Sequence, residues 1–326
     1  MKRFKNILCV AEPDESSKAA VIHAVSLAKA NNAQLSVVCT VKRPDSFIPL
    51  IHKQEELEKT LAEVIDAKTK ALKSFLQPYV KDLNVTITVH TGIKFIEVIR
   101  DVLRNKRDLV IKCCDTDSWI ERLFGSDDMH LLRKCPCPVL MLTPEQTKPF
   151  SNLLATVDVT ENNFDEKDDS RVQSQLNKLV LEHSSTLAAS AAELHIGSVW
   201  DAYGEDFIRY GAFSHMTDKE VDDYVEQTRQ GYTALLDTLL RDLIKAMSKE
   251  EAAAFRPVVH LVKGQPTREI PQLVKQHNID LIIMGTVART GIPGFIIGNT
   301  AEIILEQVQC SVLAIKPDGF LSPITL

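Results

Sequence analysis

The sequence predicts an α/β protein made of two tandem doubly wound parallel sheets. Short apolar strands alternate with amphipathic helices along the chain, which implies parallel pairing through right-handed crossovers. The order then repeats, with Asp108-Leu-Val-Ile returning 172 positions later as Asp280-Leu-Ile-Ile. A length of 326 residues also exceeds what one hydrophobic core ordinarily spans.

Each half opens with a short apolar strand and an acidic turn. Asn6-Ile-Leu-Cys-Val-Ala runs into Glu12-Pro-Asp, and Asn152-Leu-Leu-Ala-Thr156-Val runs into Asp158, so Glu12 and Asp158 share a register. Helical spacing follows in Ala20, Val21, Ala24, Val25, Leu27 and Ala28, and again in Val172, Leu176, Leu179 and Val180. Second strands cover Gln34 to Val41 and Glu193 to Trp200. Long helices come next, with buried faces expected at Leu57, Leu61, Val64, Ile65, Leu72 and Phe75, and at Val221, Tyr224, Val225, Tyr232, Leu236, Leu239 and Leu243. Third strands, Val85 to His90 and Val258 to Val262, run into Gly92 and Gly264. Another helix precedes each Asp-Leu strand, and each half ends with a helix and a closing strand.

Composition narrows the function. With 44% hydrophobic and 25% charged residues the chain reads as soluble and globular, and a net charge of −6 argues against broad nucleic-acid binding. No run approaches the ~18 apolar residues of a membrane helix, and Ile7 to Ala11 is too short for a signal-peptide core. Seven cysteines, an odd number, fit reduced thiols and a cytoplasmic location.

The most specific motif begins at Met284-Gly285-Thr-Val-Ala288-Arg289 and continues through Gly291 and Gly294 to Gly298-Asn299-Thr300. An apolar strand ends at a glycine, a glycine-rich loop follows, and another glycine opens a helix. Loop amides and a helix N-terminus suit an anion, and glycine lets the backbone approach a phosphate. Ligands of such sheets bind outside the strand carboxyl ends, where Asp158 and Gly285 both fall.

These residues, with Gly298-Asn299-Thr-Ala-Glu302, the closing strand Cys310-Ser-Val-Leu and Leu131-Leu-Arg-Lys-Cys-Pro136, resemble the universal stress protein family in its tandem form. The resemblance implies two Rossmann-like domains of the adenine nucleotide alpha hydrolase kind around a pseudo-twofold axis, paired through Val139 to Leu142 and Val312 to Ile315. The division it suggests is a first domain over 1–143, a linker at 144–149 and a second domain over 150–326. Nucleotide-binding members carry Gly, two residues, Gly, nine residues, then Gly with Ser or Thr. Gly285, Ala288, Gly298 and Asn299 keep that spacing with two substitutions. A methyl at Ala288 costs roughly 1 kcal/mol where backbone must come close, which implies weakened rather than abolished binding.

By the same resemblance Asp158 meets the adenine, Thr156 and Val157 line the base pocket, and Val199 offers backbone. Met284 and Gly285 pass beneath the ribose and phosphates, while Arg289, Gly298, Asn299 and Thr300 address the phosphates. The implied ligand is ATP or a related adenine nucleotide, with or without Mg²⁺. The implied role is a nucleotide-responsive stress regulator, with at most slow hydrolysis because no nucleophile, general base or metal cluster is legible. The chain is expected as a monomer with an internal pseudo-dimer, or as a homodimer.

The first half departs from the motif. Cys113 stands at the place of Gly285 and Thr116 at that of Ala288, and Asp115 and Asp117 enter a loop one residue shorter. Carboxylates there repel a triphosphate, so this half is not expected to hold ATP. A competing reading makes the chain a scaffold for a different ligand or a protein partner. Its first pocket would set Glu12, Thr40 and Cys113 beside Trp119, Ile120, Leu123 and Phe124, although these four apolar residues equally suit core packing.

The thiols of Cys113, Cys114, Cys135 and Cys137 lack the Cys-x₂₋₄-Cys spacing of zinc sites and are expected to pack as small hydrophobes. His90, His183, His195, His215, His260 and His277 show no metal-binding pair spacing and are expected mostly at surfaces or strand ends. Tyr203 to Met216 inserts after the second strand of the second half, as either an apolar clamp on the long helix or a lid over the Asp158 pocket.

Overall fold

The computed structural model describes residues 4–42, 54–115, 125–160, 167–188, 192–211, 216–286 and 298–326. In chain order the first half comprises β1 (Asn6–Val10), α1 (Lys18–Asn31), β2 (Gln34–Val41), α2 (Gln54–Leu76), β3 (Val85–Thr91), α3 (Lys94–Asn105), β4 (Leu109–Cys113), α4 (Ser126–Lys134) and β5 (Val139–Leu142). The second comprises β6 (Asn152–Thr156), α5 (Lys167–Ala188), β7 (Glu193–Trp200), α6 (Glu205–Tyr210), α7 (Asp218–Ala246), α8 (Lys249–Ala254), β8 (Val258–Lys263), α9 (Pro266–Gln276), β9 (Leu281–Gly285), α10 (Asn299–Gln307) and β10 (Ser311–Ile315).

Among the described residues the strands form a single sheet in the order β3-β2-β1-β4-β5-β10-β9-β6-β7-β8. Read from either edge the order is the same, so the halves are related by a pseudo-twofold axis. The closing strands meet on that axis and form the antiparallel pair, Met141 opposite Val312 and Val139 opposite Ala314. Strands within each half are parallel, and inner strands such as β4 and β9 are buried on both faces, whereas the edge strands β3 and β8 are partly exposed. Ile7 and Cys9 enter one core layer while Leu8 and Val10 enter the other.

The same local devices recur in both halves. The Asp108 carboxylate accepts the N–H groups of Lys5 and Asn6 at 2.6 and 3.0 Å, and that of Asp280 accepts those of Ser151 and Asn152 at 2.6 and 3.1 Å. Each acid thereby ties the start of its strand to the start of β1 or β6. Gly92 and Gly264 end β3 and β8 at φ of 141° and 144°, a conformation side chains rarely adopt. Across the axis, Arg133 on α4 pairs with Glu302 on α10. His23 Nε2 lies 3.0 Å from the Gln146 carbonyl, and Phe4 stacks on His183 at 4.8 Å.

One expected core position is corrected. Val64 is 42% exposed, because the α2 face that meets β3 turns toward Leu72 and Leu76. Two short helices, α6 and α8, span 6 residues each, too few for a helical period to stand out in the sequence. Among the described residues no helix is long and apolar enough to cross a membrane.

Candidate functional site

A cavity of about 630 Å³ opens at the carboxyl ends of β6, β7 and β9, within the usual range for small-molecule sites. Thr156, Val157 and Asp158 line it from the end of β6, Val199 from β7, Met284 and Gly285 from β9, and Gly298, Asn299 and Thr300 from the start of α10. Ala288 and Arg289 lie outside the described residues. Gly298 is the N-cap of α10 and no side chain caps it. Asn299 and Thr300 are exposed in that first turn, where amide groups and the helix dipole favour an anion.

The Asp158 turn is held by residues that sequence patterns missed. Asn177, buried on α5, accepts the Asp158 N–H at 3.0 Å and donates Nδ2 to the Asp158 carbonyl at 2.7 Å. Gln173 Nε2 donates to Asn177 Oδ1 at 3.0 Å, which fixes the amide's orientation. The Asp158 carboxylate in turn accepts the Thr160 N–H at 3.0 Å. The available signal was a mid-helix asparagine on the apolar face, a poor helix former that needs a partner when buried. Trp200 and Tyr232 also line the cavity, with rings 6.0 Å apart.

A model of the universal stress protein family matches residues 3–143 and 172–316. The chain belongs to the universal stress protein family. It is 26% identical over 325 residues to a universal stress protein E homolog of Haemophilus influenzae, covering 97% of this chain and 98% of that one. It is 23% identical to universal stress protein E of Escherichia coli K12, covering 100% and 98%. Among solved structures, a functionally unknown protein from Pseudomonas aeruginosa PAO1 superposes with a TM-score of 0.66 at 24% identity, covering 97% and 94%. A universal stress protein from Archaeoglobus fulgidus gives 0.58 at 16%, covering 96% and 98%. These two structures share the fold.

In the first half of this universal stress fold the chain's own charges meet at the equivalent strand end and helix N-terminus. Lys112 stands where Met284 stands, and Asp128 where Ala301 stands. The Lys112 ammonium lies 2.6 Å from Asp128 Oδ1 and 2.8 Å from Asp115, and it also donates to the Cys113 carbonyl. Asp128 Oδ2 accepts the N–H groups of Asp115 at 2.9 Å and of Gly125, the α4 N-cap, at 3.3 Å. The chain's own carboxylate therefore occupies the place an anionic ligand would take at the α4 N-terminus. Burial works against the Lys112 charge, but the Asp128 and Asp115 carboxylates outweigh it and raise its pKa. Burial drives the Asp128 carboxyl upward, yet two amides and an ammonium donate to it, so the site is built for the ionised form.

At the β1 end of that site the chain's own side chains also pair with one another. Glu12 accepts Lys68 at 2.7 Å and the Cys39 thiol at 3.1 Å, and this contact raises the Lys68 pKa. Cys113 Sγ accepts the Ala20 N–H at 3.3 Å. Trp119, Ile120, Leu123 and Phe124, with Thr116 and Asp117, lie outside the described residues.

All seven cysteines are free and buried. Cys113 and Cys114 face opposite core layers, as adjacent strand residues must. Burial pushes Cys113 up to about 11 and Cys39 to about 12, so both remain unreactive thiols near neutral pH. For the insertion, the structure sets the apolar clamp aside where it is described: Phe207 and Tyr210 are 74% and 78% exposed. Helix α6 is instead pinned by ion pairs of Glu205 with Lys263 and of Arg209 with Asp222, while Tyr203 borders the cavity. Phe213 and His215 lie outside the described residues.

The histidine expectation needs correction. His183 and His195 are buried at 4% exposure, and His195, His260 and His277 come together although 65 and 17 residues separate them in sequence.

Proposed function

We propose that this chain is a cytoplasmic, nucleotide-responsive stress protein that binds ATP or a related adenine nucleotide, with or without Mg²⁺, in its second half. We delimit that half as 150–326, after a first half over 1–143 and a linker at 144–149. The observation that carries the reading is the contrast between the halves. Asp128 fills the α4 N-terminus, whereas Ala301 and Met284 leave the α10 N-terminus facing an open cavity beside Asp158. Phosphates would take the amides of Gly298, Asn299 and Thr300, with Arg289 as counter-charge. The base would lie against Thr156, Val157 and Val199, its exocyclic amine toward Asp158. Binding rather than turnover is the proposed activity, because among the described lining residues none is held against a second group that would activate a nucleophile.

Titration calorimetry of the full chain with ATP–Mg²⁺ tests this, and absence of heat at millimolar ligand rejects it. Asp158→Ala and Gly285→Val each weaken binding by about 1–3 kcal/mol where the lost contact is buried, while Glu12→Ala and Cys113→Ala leave it unchanged. A Cβ at Gly285 sits 3.4 Å from Leu176, so thermal melting of the valine variant separates lost binding from lost packing. Equal losses from both halves would reverse the assignment of the binding half. Native mass spectrometry of freshly purified protein weighs the scaffold alternative by showing what co-purifies.

Ala288→Gly restores the family glycine. Affinity for ATP is expected to rise several-fold, about 1 kcal/mol, while folding stability falls slightly through the glycine's greater unfolded-state entropy. Unchanged or reduced affinity would mean that the pocket is shaped for a different ligand.

A further inference from the structure

Three imidazoles meet toward the amino-terminal ends of the second half's strands, remote from the cavity. His195 is the third residue of β7, His260 the third of β8, and His277 caps the C-terminus of α9. In the parallel register His195 lies opposite Val258 and Gly197 opposite His260, so both histidines point to the face that α9 covers. Gly197 keeps that face low beside His260: a Cβ there would meet Leu154 at 3.2 Å and Leu273 of α9 at 3.3 Å.

One ring nitrogen from each histidine lies within 4.8 Å of the other two. His195 Nδ1 and His260 Nε2 are already 2.9 Å apart, and the ring centroids are 4.5 to 5.2 Å apart. Zinc held by imidazoles at about 2.0–2.1 Å in tetrahedral geometry requires donor separations of about 3.3 Å. The first pair lies slightly inside that spacing, so a small parting of the His195 and His260 rings and a small swing of the half-buried His277 ring bring the three donors to it. The Glu193 carboxylate lies 3.9 Å from His195 Nε2, beyond hydrogen-bond distance but on the side where an outer-shell acid orients a metal-bound histidine through its other nitrogen. Burial, and after it the neighbouring imidazoles, lower the pKa of His195 and His260.

We propose that His195, His260 and His277 form a binding site for a borderline divalent transition metal, Zn²⁺ foremost, with a fourth coordination position left to water. Three nitrogen ligands without a thiolate or carboxylate suit Zn²⁺, Ni²⁺ or Cu²⁺ over Mg²⁺ or Ca²⁺. The site is separate from the nucleotide cavity: Val199 lies four residues beyond His195 along β7, about 13 Å away. The proposal therefore stands or falls independently of the nucleotide reading.

The experiment is calorimetric titration of the chelator-treated, tag-free full chain with zinc chloride, paired with the visible spectrum of the cobalt(II)-loaded protein. One equivalent is expected to bind, with intense d–d bands and a raised melting temperature. His260→Ala and His277→Ala should each weaken zinc affinity at least as much as the roughly 10–100-fold lost with an outer-shell partner, and both should abolish the cobalt bands. His130→Ala, outside the cluster, should bind as the unaltered chain does. His277 is half-buried at a helix end, so its variant keeps the test valid if His260→Ala fails to fold. No binding at about 100 µM free zinc, or equal binding by both variants and the unaltered chain, would overturn the proposal.

Discussion

Asp128→Ala is expected to destabilise the chain by about 3 kcal/mol, because it strips the main partner from a buried ammonium. Asp128 is fully buried and Lys112 is 5% exposed. The value lies at the lower end of the range for broken buried pairs because Asp115 remains 2.8 Å from Lys112. The lost carboxylate also frees the Asp115 and Gly125 amides, so part of the cost is a lost helix cap. Lys112→Met together with Asp128→Ala reproduces the Met284 and Ala301 of the second half. It should return stability to within about 1 kcal/mol of the unaltered chain, since apolar replacement of a whole buried pair is often neutral or better. Urea unfolding of the two single variants and the double variant closes the cycle. Additive losses would mean that the two charges do not act as a pair.

The second large effect concerns Lys316, just beyond β10. It is 4% exposed, its ammonium donates to Thr286 Oγ1 at 2.7 Å, and it lies 5.1 Å from the Phe320 ring centre. Burial pushes its pKa down to about 7, against a weaker upward pull from Cys135. Unfolded, the side chain titrates near 10.5, so between about 7 and 10.5 the unfolded chain binds more protons and stability rises with pH. Below pH 7 the buried charge costs on the order of 5 kcal/mol, from the shift between 10.5 and about 7 at about 1.4 kcal/mol per pKa unit. Lys316→Met should therefore stabilise the chain most below pH 7, less the lost Thr286 hydrogen bond, and lose that advantage as pH approaches the ordinary lysine value. Unfolding curves between about pH 6 and 10 measure it. A difference that stays constant across that window would mean that Lys316 keeps its charge hydrated.

The architecture was legible because each of its parts is written locally. Strands such as Gln34–Val41 and Glu193–Trp200 are short apolar runs bounded by turn residues, and both match the folded elements end to end. The repeat set β4 against β9 and α4 against α10, which in turn identified Asp158, Gly285 and Gly298 as neighbours of one sheet edge. The antiparallel meeting of β5 and β10 followed from the family resemblance rather than from any local pattern.

What sequence left undecided depends on pairs of side chains that only folding brings together. Asp115 and Asp117 read as charges that repel a phosphate, but the stronger fact is that Asp128 already lies against the amides a phosphate would use. Lys112 reads as one polar residue within an apolar strand, and only the return of α4 over the sheet edge supplies its partner 16 residues on. Asn177 reads as a weak point in a helix until the Asp158 turn arrives to use both ends of its amide. His195, His260 and His277 have no spacing a motif would recognise, because strand register and the end of α9 set their distances. Periodicity and turn chemistry act over a few residues and so determined the elements and their order; burial and hydrogen-bond pairing act across the register, and only the tertiary structure decided which helix N-terminus faces a cavity and which already holds a carboxylate.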